Sequence, residues 1–287
     1  MRDTDAPIHG TVCKNGQKPS GDDDSLEDVS QGRFVPCNSA NVFSVKIVDS
    51  NVGFPIQVYG TVIARDSLDL KCVYLFNRRR DDCQLVLSKD ESLILTGPKR
   101  GLALIDGIYF EVNLKVKCGG RKHKDKQLSK GFLGLDGVPY ISQDEIEVQR
   151  YALDTMLSQV VLTCAVDKNA VEATIAIEVI QGKFYGEINA CTTGIRDSIV
   201  LHDSKIMTAD STDNGTKGAI PLLRHVVSVG LKEKLILTVA RTGACKAKSA
   251  IKFTPRVNGG DEKEITCGFI KMRVKVIWSI ILCLHID

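Results

Sequence analysis

Phe110-Glu-Val-Asn-Leu-Lys-Val116 is apolar at every second position and polar between. Side chains two residues apart share one face of a strand, so this spacing predicts a β-strand with one buried and one wet face. The same texture extends outward on both sides. Short runs rich in Val, Ile, Leu, Thr and aromatics recur at Phe43–Val48, Ile56–Ala64, Cys72–Phe76, Leu93–Thr96, Val160–Val166, Ala173–Ile180, Ile199–His202, Leu235–Ala240 and Met272–Ser279. Gly, Asp, Asn and Lys punctuate them. Ser142–Leu157 comes nearest to a helix, but Glu145-Ile-Glu-Val-Gln149 alternates, which favours a strand. Many short strands with few helices predict an all-β, β-sandwich-like body.

A pattern also repeats. Tyr59-Gly60-x-Val62-x-Ala64 returns as Tyr185-Gly186-x-Ile188-x-Ala190, and fourteen residues after each Tyr stands a similar run, Val73-Tyr-Leu-Phe76 and Ile199-Val-Leu-His202. A duplication of this kind makes the body two related β-halves, packed side by side or merged into one sandwich. The expected organisation is a flexible acidic arm over residues 1–41 and an all-β domain over 42–287. Its halves, 42–118 and 158–287, are joined by a basic loop and short strands. Residues 1–40 carry four Lys/Arg (Arg2, Lys14, Lys18, Arg33) against seven Asp/Glu, a net of −3. The whole chain of 287 residues is only +3, which argues against a polyanion binder by bulk charge.

The ten cysteines show no CxxC and no grouping with His, so no zinc site is expected and buried reduced thiols are the expected state. The opening segment lacks the apolar stretch of a secretory signal, which points to the cytoplasm, or the nucleus, rather than secretion. The run Val276–Leu284 is shorter than the ~20 residues of a membrane-spanning helix and reads as a final buried strand.

Several motifs bear on chemistry. Cys118-Gly-Gly-Arg-Lys-His-Lys-Asp-Lys-Gln-Leu-Ser-Lys130 reads as an exposed basic loop, and Arg121, Lys122, Lys124, Lys126 and Lys130 form the candidate anion-binding set, for RNA or an anionic surface. Arg78-Arg79-Arg80 adds a second cluster if the fold brings the two together, although no aromatics interleave the loop. Glu147-Val-Gln-Arg150 has the Glu-x-x-Arg spacing of rRNA N-glycosidases. That chemistry needs the pair one helical turn apart, whereas the local alternation places it on a strand. Asp210-Ser-Thr-Asp-Asn-Gly215 opens like a calcium loop, but Pro221 occupies the position of its bidentate Glu. No nucleophile elbow, P-loop, dinucleotide fingerprint or metalloprotease motif occurs, so no catalytic, cofactor-binding or metal-binding residues and no cofactor are assigned.

Phe43-Ser-Val-Lys-Ile47, Val58-Tyr-Gly-Thr-Val-Ile-Ala-Arg-Asp66, Leu95-Thr-Gly-Pro-Lys-Arg-Gly-Leu102, Gly182-Lys-Phe-Tyr-Gly-Glu-Ile188, Ile199-Val-Leu-His-Asp-Ser-Lys205 and Val274-Lys-Val-Ile-Trp-Ser279 together resemble a grass-specific domain of unknown function. The resemblance spans Val42 to Ser279. That domain occurs alone in many cereal proteins, or fused to a ribosome-inactivating domain in jasmonate-induced proteins. The resemblance implies a cereal source and a stress or defence setting, and it carries over no catalytic residue. Two functions are therefore expected as rivals. One is a non-enzymatic β-module that binds a protein or carbohydrate partner. The other is a translation inhibitor related to the ribosome-inactivating proteins.

Overall fold

The computed structural model describes residues 35–69, 71–119, 124–142, 147–207, 218–242 and 246–283. Nearly all of the described regular structure is strand. The first half comprises β1 (Val35–Pro36), β2 (Asn38–Ser50), β3 (Ile56–Arg65), β4 (Val73–Arg78), β5 (Gln84–Val86), β6 (Leu102–Leu104), β7 (Gly107–Val116), β8 (Lys126–Asp136), β9 (Val148–Asp154) and β10 (Ser158–Asp167). The second comprises β11 (Ala170–Gln181), β12 (Gly186–Thr192), β13 (Ile199–Asp203), β14 (Gly218–Ala219), β15 (Val226–Gly230), β16 (Leu235–Arg241), β17 (Ala247–Phe253), β18 (Gly259–Cys267), β19 (Ile270–Ile280) and β20 (Leu282–Cys283). Single-turn helices at Pro139–Ser142 and Ser204–Met207 complete the described secondary structure.

The duplication is visible in the strand order. One sheet of the first half runs β6-β2-β10-β9, and its counterpart runs β15-β11-β19-β18. The facing sheets run β4-β3-β7-β8 and β13-β12-β16-β17. Every pairing among the described residues is antiparallel, and each half is a sandwich of two four-stranded sheets, to which β5 adds in the first half and β14 in the second. The correspondence reaches single residues. A register slip separates Val62 from Ile63 where β3 meets β4, and another separates Ile188 from Asn189 where β12 meets β13, the same step of the repeat.

The repeated Tyr-Gly pairs explain themselves here. A Cβ on Gly60 would lie 2.1 Å from the Asn113 carbonyl oxygen on β7, and one on Gly186 would lie 2.1 Å from that of Ala240 on β16. Both glycines let neighbouring backbones close to a distance no side chain tolerates.

Each half has its own core. Ala40 through Val166 build one cluster, centred on Phe76, Phe110 and Leu114; Val171 through Trp278 build the other, around Phe253, Met272 and Trp278. Each such side chain, fully removed from water, contributes about 1.5–3 kcal/mol. The break between cores falls at the β10–β11 turn, where Asn169 takes a φ of 45°. The expected halves therefore need correcting: β8, β9 and β10 belong to the first core, and the second begins after Asp167 rather than at 158. Residues 35–41, assigned from sequence to the acidic arm, lie in or between β1 and β2, because Ala40 is a core position and β1 pairs with β20. The rest of the arm lies outside the described residues.

A buried polar seam joins the halves. Asn41 on β2 donates to Asp167 Oδ2 (2.8 Å) and to the Ser228 carbonyl (2.7 Å), and accepts from the Ser228 amide (3.0 Å). Ser39 and Ser228 share a hydroxyl hydrogen bond of 2.6 Å. Asp167 is fully buried, and loss of hydration pushes its carboxyl up to about 7.

Candidate functional site: an open sheet face

The sheet β4-β3-β7-β8 buries one face in the first core and leaves the other open. On β7, Ile108, Phe110, Val112, Leu114 and Val116 point inward, so Tyr109, Glu111, Asn113 and Lys115 point out. The ladders align these outward positions in rows. Tyr74, Ile63, Glu111 and Phe132 form one row, with Arg65, Tyr109 and Gly134 above it and Asn77, Thr61, Asn113 and Lys130 below.

Three aromatics on this face are exposed: Tyr74 at 44%, Tyr109 at 58% and Phe132 at 70%. The Tyr109 ring reaches over β8, where a methyl built on Gly134 would meet it at 3.8 Å, in ordinary van der Waals contact. Arg65, beside Tyr109, and Glu111 in the next row form an ion pair of 2.5 Å, and Asn113 and Lys130 complete the polar surround. Together with Phe132 they line a shallow depression of about 520 Å³, within the range of ligand sites.

The second half supplies an internal control. The positions matching Tyr74, Tyr109 and Phe132 are Val200, Ile236 and Ala250, while Lys130 matches Lys248. The aromatic platform belongs to the first half, and the duplicated scaffold does not require it.

The expected basic loop is placed differently. Arg121 and Lys122 lie outside the described residues. Lys126 and Lys130 are not in a loop but on β8, and Lys124 is exposed just before it. A register shift at Leu128 turns the two strand lysines to opposite faces: Lys130 opposes Asn113 on the open face, and Lys126 opposes Val116 on the core side, at its rim. The fold does bring the arginine run to this loop. Asp125 accepts from Arg80 Nε (2.6 Å), from the Tyr59 hydroxyl (2.7 Å) and from the Cys118 amide (3.0 Å). Arg80, Tyr59 and the Cys118 amide, in that order, hold the Asp125 carboxyl well below the usual range. Arg78 pairs with Asp82 at 2.9 Å. Acidic neighbours thus answer much of the positive charge.

Arg150 sits on the exposed face of β9, opposite Thr163, and Glu147 lies just before the strand. No helical turn joins them. The calcium-like segment 210–215 lies outside the described residues. Among the described residues, no group of three or more His, Cys, Asp or Glu could hold a metal ion, and no helix is long and apolar enough to cross a membrane. The cysteines vary in depth: Cys37, Cys164 and Cys267 are buried, Cys83, Cys118 and Cys191 are half-buried, and Cys72 is exposed. The expectation of buried thiols therefore holds for only part of the set.

Sequence reasoning missed the three aromatics. Tyr109 and Phe132 carried a signal, since each stands at a position where its strand's alternation calls for a polar residue.

Fold and face define a class: a tandem β-sandwich protein carrying an aromatic platform on one sheet. Residues 39–276 match the family described as "Domain of unknown function (DUF6598)", and the chain belongs to that family. Among curated proteins, none matches the chain. Solved structures with some similarity include a pair of domains from Extended-Synaptotagmin 2, at 8% identity and a TM-score of 0.26, covering 98% of this chain and 100% of that one. Another is the human GIVD cytosolic phospholipase A2, at 7% identity and a TM-score of 0.25, covering 85% of this chain and 33% of that one. At these scores neither similarity informs function.

Proposed function

We propose that this protein is a non-enzymatic β-module that binds a carbohydrate chain on the open face of its first sandwich, in a cereal stress or defence setting. The observation that carries the reading is the trio Tyr74, Tyr109 and Phe132, exposed on one face and absent from the matching positions of the second half. Sugar rings present flat C–H faces that pack on aromatic rings, and their hydroxyls require planar donors and acceptors close by. The Arg65–Glu111 pair and Asn113 offer these around the platform, and Lys130 adds an ammonium donor. Arg65 and Glu111 neutralise each other, which leaves Lys115 and Lys130 as the net charge of the face, too little to favour RNA over a neutral chain. The cereal and defence setting is supported by the sequence resemblance alone.

The test is a glycan array probed with the full chain, followed by calorimetry on the retained sugars. Retention of neutral oligosaccharides is expected, with affinity insensitive to salt. Retention of single-stranded RNA instead, with affinity falling steeply between low and high salt, would replace carbohydrate by nucleic acid. Adenine release from ribosomes that disappears in Glu147→Ala would establish the N-glycosidase rival.

A further inference from the structure

A second cavity lies where the two halves meet. Phe43 on β2 and Leu93 and Leu95 from the first half face Val200 on β13 and Leu223 and Arg224 of the second, around about 140 Å³. Leu223 donates its amide to the Leu201 carbonyl (2.7 Å), which fixes the segment carrying Arg224 against β13. Arg224 is 2% exposed, and its Nε and Nη2 are buried with no hydrogen-bond partner among the described residues. Asp203, the other charged side chain on the wall, accepts from the Lys205 amide (2.9 Å) and makes no ion pair with Arg224.

A buried guanidinium without an anion is costly, because the desolvation of its charge is not repaid. Burial pulls the Arg224 guanidinium down to about 10, which leaves it a cation at neutral pH. Its planar fork of donors suits a carboxylate, while apart from Ser92 and Asp203 the rest of the wall is apolar. We propose that this inter-half cavity is a binding site for a small organic carboxylate with an apolar body, its carboxylate held by Arg224 and its body by Phe43, Leu93, Leu95, Val200 and Leu223. The volume suits a molecule the size of benzoate, since it would hold about five waters at the ~30 Å³ each occupies in the liquid. The ligand touches both halves and so adds a tie between them.

The experiment uses the full chain with sodium benzoate, its neutral counterpart benzamide, sodium acetate and inorganic phosphate as probes. It is read by thermal melting and by calorimetric titration. Benzoate is expected to bind once per chain and to raise the melting temperature with concentration, while benzamide, acetate and phosphate leave it in place. Arg224→Met is expected to weaken benzoate binding by at least about tenfold and to melt no lower than the wild type. Val200→Phe fills the cavity from the opposite wall and is expected to abolish binding with Arg224 intact, which keeps the test decisive should Arg224→Met not fold. Equal responses of wild type and Arg224→Met to benzoate, equal responses to benzamide and benzoate, or no response to benzoate would overturn the proposal. Phosphate or acetate acting as strongly as benzoate would overturn the assignment of an apolar body.

Discussion

Asp167 shows what a single buried group does to the behaviour of the chain. Its carboxyl accepts from Asn41 in the seam between the halves and is pushed up to about 7 by burial, from an ordinary value of 3.8. Between those values the folded protein holds a proton that the unfolded chain has released. Stability should therefore fall as pH rises from about 4 to about 7 and level off above. Asp167→Asn removes this slope. Its advantage over the wild type is expected to be smallest below pH 4 and to grow to about 4 kcal/mol by pH 8, read from urea unfolding across that range. Asp66 is a buried carboxylate that meets a cation instead. Its buried carboxylate receives Arg100 through two nitrogens, at 2.6 and 2.8 Å, and the Ala103 amide at 2.9 Å. Asp66→Ala leaves Arg100 without this partner and is expected to cost about 3 kcal/mol in the same unfolding experiment.

Among the elements, β3 and β12 carry the clearest mark of the duplication. In both, a glycine faces a carbonyl of the next strand at a distance that excludes a Cβ. Gly60→Ala and Gly186→Ala are each expected to destabilise by about 1–3 kcal/mol, with hydrogen-exchange protection lost first in the half that carries the change. Strands of this kind were legible in the sequence, since β7 alternates cleanly and the Tyr-Gly pairs repeat. β18 was not, because along Gly259–Cys267 only Ile265 and Cys267 are buried and its charged outer positions pair instead with Lys271 and Arg273 on β19. The segment Leu93–Thr96 reads as a strand but meets its neighbours only through scattered bonds, as at Leu93 to Val45 and Thr96 to Leu75. Lys126 and Lys130 read as loop because their run of lysines and glycines hides Leu128, Leu133 and Leu135, which anchor β8 in the core.

For the whole molecule, two sandwiches with separate cores are tied by the seam of Asn41, Ser39, Asp167 and Ser228 and by the β1–β20 pair. Asn41→Ala removes three of the seam's hydrogen bonds and is expected to split thermal unfolding into two calorimetric transitions, against one in the wild type. The candidate site also belongs to this scale. Tyr74, Tyr109 and Phe132 come from three strands, and no local spacing connects them; only the register of β4, β3, β7 and β8 sets them on one face. Sequence patterning exposes the buried faces because burial is periodic. It does not reveal which outward positions meet.

The most direct measurement titrates the tightest sugar from the array into wild type, Tyr109→Ala/Phe132→Ala, and the second-half pair Ile236→Ala/Lys248→Ala, at the positions of Tyr109 and Lys130. The first double variant is expected to lose at least about tenfold in affinity, and the second to bind as the wild type does. Equal affinity of wild type and Tyr109→Ala/Phe132→Ala, or an array that retains no sugar, would contradict the assignment of the open face.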